Sequence, residues 1–478
     1  MSSTDQILAK FEQISAIPRG TQNEAGIRKW LINWASSKGL SSRTDDIGNL
    51  AIYVPASAGH ENAPTLILQG HMDMVCQKTS DSNHDFKRDP ICIIRDGDWL
   101  KADKTTLGAD NGIAIAIAMT VVEDENVSHP PLEILFTVEE EAGISGADHL
   151  DSNMLTAKVL VNLDSEKEGV FTVGCAGGGN TYITMPVHWS TSSKNDATFE
   201  LKVGGLQGGH SGEDIAKHRG NANKILSRTL DEIQRKIPIR LYTFKGGTAR
   251  NAIPRGAEAT FVCPKESSTI CNEIILSFGE ILQAEFATTE NGLFLMSLEK
   301  QTSIQPVISL EDTKKVIQLV AALPNGVAEM SSEVEGFVET SNNIGITELL
   351  GDGFHIVSNQ RSSVISRLEE MTRRTEAISA LAVAKTERTK MFPPWQPNMD
   401  SPLLKKCIEV YETLNHQKPK IEISHGGLEC GIISARCNGL DTISLGPTIK
   451  NPHSPDEMLY IPSLSSTWNF LTALLCSM

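Results

Sequence analysis

The chain has no C-x-x-C pair, and its nine cysteines are scattered and odd in number. That argues against both a Cys-ligated structural zinc and a disulfide framework, and reads as reduced core thiols of a cytoplasmic protein. No apolar run approaches the roughly 18 residues of a membrane span. The opening "MSSTDQILAKFEQISAIPRG" lacks a basic region followed by an apolar core, so no signal peptide is expected. Positive charge is also short: 43 Lys and Arg stand against 59 Asp and Glu, a formal net charge of -16. Such a surface repels nucleic acid and anionic membranes, so neither is expected as a partner. Low-complexity tracts are absent as well. What is present is the composition of a globular protein, 40% hydrophobic and 21% charged, in a chain of 478 residues, too long for one core.

The first part alternates helices and strands. "STDQILAKFEQIS" and "NEAGIRKWLINWASSKG" read as helices, the second closed by Gly39. "NLAIYV", "PTLILQG", "PLEILFTVE" and "AKVLVNLD" read as buried strands, and the Ala/Ile-rich "NGIAIAIAMTVVED" between two of them as a buried helix. This predicts an α/β domain with a mixed, mostly parallel sheet flanked by helices. After "GVFTVGCAGGGN" the texture changes, and the Gly177–Gly179 run reads as a hinge or boundary. From there a strand–helix–strand–strand–helix pattern occurs twice, the second time beginning at "GLFLMSLEK". The proline-rich "MFPPWQPNMDSP" ends it, and α/β texture returns. The expected organisation is a discontinuous catalytic domain, residues 1–178 and 391–478, with an inserted α+β lid domain of two similar halves, residues 179–390.

Five clusters of acidic residues and histidine sit where strands end: "GHMD" (His71, Asp73), "GADNG" (Asp110), "VEEEAG" (Glu139 to Glu141), "NLDSE" (Asp164, Glu166) and "NPHSPDE" (His453, Asp456, Glu457). In a parallel sheet the strand C-termini share one edge, so residues distant in sequence converge there. Each cluster alone has a plain explanation: a strand emerging from the core, a turn, an acidic helix start, a Pro-punctuated loop. Together they place His and carboxylates directly after very apolar runs. Burying such groups unpaired is costly, and a cation is the usual remedy. His with Asp and Glu oxygens, and no Cys, suits a hydrolytic divalent metal. "GGHSG" lacks the G-x-S-x-G spacing of a serine nucleophile.

"LILQGHMDMV", "TLGADNGIAIA", "FTVEEEAG", "LVNLDSE", "GGHSGEDI", "GGTARNAIPR", "SHGGLECG" and "GPTIKNPHSPDE" resemble, in order along nearly the whole chain, the co-catalytic di-zinc peptidases. That family includes carboxypeptidases, aminoacylases, tripeptidases and carnosine-type dipeptidases, and the last two motifs are most similar to its bacterial aminoacyl-histidine dipeptidase branch. The resemblance implies that His71 and Asp164 hold one metal, that Glu141 and His453 hold the other, and that Asp110 bridges both. It implies that Asp73 orients His71, that Glu140 is the general base, and that the Asp110–Asn111 peptide is cis. A one-residue shift within Glu139–Glu141 is the alternative assignment of base and ligand. From the insert, His210 would stabilise the oxyanion, and Asn251 and Arg361 would bind a C-terminal carboxylate. Gly426, Gly427 and Glu429 would line the substrate pocket near the metals. His149, His218, His355 and His425 are structural by default, His425 being the first exception to consider. The implied cofactors are two divalent ions, zinc first, with manganese or cobalt tolerated by the same ligands. The implied partner is a small peptide, and the doubled insert suits either a monomer or a homodimer. The expected activity is hydrolysis of unblocked dipeptides, Xaa-His among them. A tripeptidase or aminoacylase on the same scaffold, or a non-catalytic metal-stabilised binding protein, are the alternatives.

Overall fold

Leu66–His71 and Leu132–Thr137 are buried at every position, as strands covered on both faces must be. In the computed structural model, which describes residues 2–301 and 304–478, they lie at the centre of an eight-stranded sheet. Its spatial order is Ser41–Thr44, Leu50–Val54, Leu132–Thr137, Leu66–His71, Val159–Asn162, Asp441–Ser444, Val170–Cys175 and Lys420–Ser424. The four strands from Leu132–Thr137 to Asp441–Ser444 run parallel, and those before them antiparallel. His71 pairs with Thr137, and Gln69 with Asn162, so these strands end at one edge. Helix Ala109–Glu123 is buried from Asn111 through Val121. A helix apolar all round is a core helix, which explains why its Ala/Ile alternation imitates a strand.

By internal contacts this sheet belongs to a unit comprising Met1–Gly174, Trp395–Ile423 and Leu428–Met478. Near its C-terminal end Ile449–Lys450 pairs with Met458–Tyr460, which in turn pairs with Trp99–Ala102. The loop 451–457, which carries His453 and Glu457, is therefore anchored at both ends. Among the described residues no helix is long and apolar enough to cross a membrane.

The second unit is Cys175–Pro394 with Ser424–Gly427. Its nine-stranded antiparallel sheet has the order Phe294–Lys300, Asp196–Gly204, Ala257–Pro264, Arg240–Gly246, Val338–Leu350, Gly353–Ser362, Gly177–Met185 and Lys385–Arg388, with Gly326–Met330 beside Val338–Leu350. Two β-α-β-β-α-β repeats are joined through Arg240–Gly246 and Val338–Leu350. The first repeat uses helices Ala222–Gln234 and Ser268–Glu285, and "GLFLMSLEK" supplies its fourth strand rather than opening the second repeat. The second repeat takes its first strand from Gly177–Met185, so the glycine run read as a boundary is the start of a strand inside this unit. The whole first repeat is thus inserted between the first strand of the second repeat and its helix Leu310–Ala322. Strand Val338–Leu350 was not anticipated, because its centre, Ser341, Asn342 and Asn343, is polar although each is buried.

Lys224, in the first repeat, ties the two together. Its ammonium donates to the carbonyls of Val320 at 2.9 Å, Ala321 at 2.7 Å and Leu323 at 2.9 Å. These belong to the last turn of Leu310–Ala322, where the helix dipole also favours a cation. Lys224→Met is expected to destabilise the chain by about 2 kcal/mol through lost charged hydrogen bonds, measured by urea unfolding. An unchanged midpoint would show that water replaces the lysine at no cost.

Candidate active site

One carboxylate organises the edge of the first sheet. Asp110 Oδ1 lies 3.0 Å from His71 Nε2, and Asp110 Oδ2 lies 3.0 Å from His453 Nε2. Each imidazole also faces a second acid: His71 Nε2 is 3.6 Å from Asp164 Oδ1, and His453 Nε2 is 3.1 Å from Glu141 Oε1. Ligand atoms of His71, Asp110 and Glu141 all lie within 4.8 Å of one another. The Asp110–Asn111 peptide is cis. The sheet delivers His71 from a strand end and Asp164 from just beyond Val159–Asn162. The buried helix delivers Asp110 in its first turn, and the anchored loop delivers His453.

Behind these residues a network of hydrogen bonds to backbone and side chains holds the site. Asp73, fully buried, faces His71 Nδ1 at 3.2 Å and accepts from Thr21 Oγ1 at 2.9 Å. It also accepts the backbone N–H groups of Glu140 at 3.1 Å and Glu141 at 3.2 Å. The N–H of Glu139 goes elsewhere, to Glu24 at 3.1 Å. Asn111 accepts from the His71 N–H and donates to the Leu163 carbonyl. Two further residues hold the site: Arg19, which no sequence motif singles out, and Glu457, which the sequence places in a cluster without a role. Arg19, 1% exposed, donates to the carbonyls of Met72, Asp73 and Gly108. Glu457 accepts the N–H groups of Leu107 at 2.8 Å, Gly108 at 2.9 Å and Asp110 at 3.2 Å, so it clamps the start of the Asp110 helix. The available signals were "IPRG", an arginine just after an apolar helix, and the last letter of "NPHSPDE". Neither marks a buried charge by itself.

The charges explain one another. Burial opposes ionisation of Asp110, yet hydrogen bonds from His453 and His71 hold it well below the usual carboxylate range. Hydrogen bonds to Asp110 and Glu141 lift His453 to about 11. Burial works against a charged His71, but Asp164, Asp110 and Asp73 outweigh it and push its pKa up. Burial raises Glu140 well above its ordinary value, with Glu141, Glu429 and Asp110 adding repulsion against the pull of His71. Burial likewise raises Asp164. Glu429 is 0% exposed and its Oε2 accepts from Gln69 at 2.6 Å and Thr137 at 2.7 Å, while burial lifts it to about 7. Carboxylates outnumber cationic groups here. Two imidazoles and several carboxylate oxygens facing one small space are the hard and borderline donors that a pair of divalent ions takes. His71 with Asp164, His453 with Glu141, and Asp110 toward both could hold them.

The other predicted residues belong to the second unit. His210 Nδ1 accepts the N–H groups of Gly212 and Glu213, each at 3.3 Å. That arrangement puts the neutral ring's proton on Nε2, as a donor. His210 and Asn251 line a common depression of about 610 Å³ with Thr248, Pro254 and Arg255. Arg361 is 6% exposed, opposite Gly178 in its strand pair, and donates from Nε to Asn359 at 3.1 Å. Burial lowers it to about 10, against the charge of Glu213. His425 is buried, 2.7 Å from Ser341 Oγ through Nε2, and burial with the nearby Arg361 charge lowers it to about 3. The "HGGLECG" motif is divided: Gly426 and Gly427 group with the second unit and Glu429 with the first.

The description "Peptidase family M20/M25/M40" matches residues 67–477. The cytosol non-specific dipeptidase of Escherichia coli (strain K12) is 40% identical over 465 residues, 97% of this chain and 96% of that one. The crystal structure of aminoacylhistidine dipeptidase from Vibrio alginolyticus superposes with a TM-score of 0.89 at 37% identity, covering 99% of this chain and 96% of that chain. Aminopeptidase PepT from Bacillus cereus shares the fold, with a TM-score of 0.57 at 16% identity, 99% of this chain and 98% of that one being covered.

Because Glu457 fixes the backbone that presents Asp110, Glu457→Ala is expected to weaken divalent-metal binding about 10- to 100-fold. Competition against a chromophoric chelator reads this directly. Glu457→Gln, which keeps one acceptor oxygen, should lose less. Wild-type affinity in a folded Glu457→Ala protein would show that the clamp is dispensable.

Proposed function

The chain belongs to peptidase family M20/M25/M40, and on that premise we propose that it is a two-metal dipeptidase hydrolysing unblocked dipeptides, those ending in histidine among them. The observation that carries this reading is the Asp110 carboxylate set between His71 and His453 at 3.0 Å on each side. Zinc is the expected ion, and manganese and cobalt suit the same donors. The relatives that are similar over nearly the full chain carry dipeptidase names, and the name of the Escherichia coli relative supports a cytoplasmic location.

Two cations held by His71, Asp164, Asp110, Glu141 and His453 would polarise the scissile carbonyl and acidify the attacking water. The chain's own groups do the rest. Burial raises the proton affinity of Glu140 above that of an ordinary carboxylate, the direction a general base needs. Glu140 takes the proton of the water that attacks the carbonyl carbon and returns it to the departing amine. Asp73 holds the backbone N–H groups of Glu140 and Glu141, so base and ligand are aimed together. His210 donates its Nε2 proton to the developing oxyanion, and Arg361 and Asn251 recognise the C-terminal carboxylate.

Glu140→Gln is expected to cut kcat by about a hundred- to ten-thousand-fold while leaving metal content, by elemental analysis, unchanged. Peptide hydrolysis at wild-type rate would remove Glu140 from the mechanism. Chelation should abolish release of amino acids from a dipeptide panel that includes Xaa-His, and readdition of zinc should restore it. N-acyl amino acids and tripeptides should be poor substrates. Preference for either would move the activity to an aminoacylase or a tripeptidase.

A further inference from the structure

Three residues assigned to substrate, His210, Asn251 and Arg361, meet in one hydrogen-bond network, and its hub is a side chain with no role so far. Asn359 Oδ1 accepts from Ser211 Oγ at 3.0 Å and from Arg361 Nε at 3.1 Å. Its Nδ2 donates to the Gly179 carbonyl at 3.2 Å and to Asn180 Oδ1 at 3.0 Å. Ser211 follows His210 directly, and its N–H donates to the Asn251 carbonyl at 2.8 Å. The segment is held again by Asn343, whose Nδ2 donates to the Ala252 carbonyl at 2.8 Å. The sheet register explains the convergence. Asn359 stands between Asn343 and Asn180 on neighbouring strands, and Arg361, two residues on, shares its face.

We infer that Asn359 is a positioning residue: its one amide aims the Arg361 guanidinium and fixes the His210 loop, and so sets the preference for a free C-terminal carboxylate. This rests on the reading that Arg361 and His210 act on the substrate. An amide is the side chain the place demands. Its oxygen must accept from two donors while its nitrogen donates to two acceptors. Aspartate keeps the first function and loses the second, and its charge pairs with Arg361 in competition with the substrate carboxylate. Alanine loses both and leaves the guanidinium in a buried site without its Nε acceptor.

The test compares a dipeptide with its C-terminal amide as substrates of the metal-loaded enzyme. The wild type should prefer the acid. Asn359→Ala should narrow that preference about tenfold, the factor expected for one lost hydrogen bond to a charged group, with a rise in KM for the acid. Asn359→Asp should raise KM for the acid while kcat stays within a few-fold, because its oxygen still holds Ser211. The Asp variant also carries the test if the Ala variant does not fold. An unchanged acid-to-amide ratio in a folded variant overturns the inference, as does an equal loss of kcat on both substrates tracking a lower Tm. Arg361→Lys separates the two layers. If it leaves the ratio untouched, the reading beneath is wrong and the inference falls with it. If it narrows the ratio while Asn359→Ala does not, only the inference fails.

Discussion

Seven carboxylates, of Asp73, Asp110, Glu140, Glu141, Asp164, Glu429 and Glu457, crowd one edge of the first unit's sheet against two imidazoles and the guanidinium of Arg19. Unbalanced negative charge in a largely buried space is the constraint on which the architecture there depends. Backbone donors meet part of it, at Asp73 and Glu457. Side-chain amides and hydroxyls meet another part: Gln69 and Thr137 satisfy one oxygen of Glu429, and Asn162 continues the network from Gln69. What these leave uncompensated is concentrated at Asp110, Asp164, Glu140 and Glu141. The side chains that backbone, amide and hydroxyl donors leave to the imidazoles or to one another are therefore those proposed to hold a divalent pair and to act as base.

Much of this was legible in the sequence because strand ends and buried runs leave clear traces. "LILQGHMD" is apolar until it reaches His71, and Asp110 opens a helix whose apolar length is unmistakable. The register of parallel strands then brings His71 and Asp164 to one edge without further information. Arg19, and the role of Glu457 within its cluster, were not legible for a definite reason: their partners are backbone groups. Arg19 is recognised by the carbonyls of Met72, Asp73 and Gly108, and Glu457 by the N–H groups of Leu107, Gly108 and Asp110. Backbone partners have no residue type, so no pattern of letters announces them.

The second unit shows the opposite weakness of pattern reading. Burial there does not imply apolarity. Ser341, Asn342, Asn343, Ser358, Asn359 and Gln360 lie within two adjacent strands and are at most 6% exposed. Alternation between polar and apolar, the usual mark of a strand, vanishes when both faces carry satisfied polar groups. The repeats were visible, but their membership was not. A strand contributed from before the inserted repeat looks like a linker until pairing assigns it, and the three glycines of Gly177–Gly179 strengthened that impression. In the sheet those glycines lie opposite Ser362, Arg361 and Gln360, where a short side is needed. A Cβ at Gly177 would fall 2.4 Å from the Pro394 nitrogen.

The H-x-D spacing that ends the central strand has a reason beyond orienting a ligand. Asp73 faces the imidazole of His71 with one oxygen, which it shares with the Glu140 N–H, and receives the Glu141 N–H on the other. A single carboxylate therefore sets the ring of one proposed ligand, the backbone of a second and the backbone of the proposed base. These three groups come from two strands paired in parallel at His71 and Thr137. A slip of one residue in that register would turn His71 to the opposite face of the sheet and remove all three at once. The geometry of the reaction is thus tied to strand register, the least adjustable feature of a sheet buried on both faces. Loop 451–457 meets it from the other side, with His453 on Asp110 and Glu457 beneath it. Asp110 is consequently positioned by the helix it begins, by the glutamate that clamps that helix start, and by two imidazoles. Its two oxygens face in two directions because each imidazole is held by a separate scaffold.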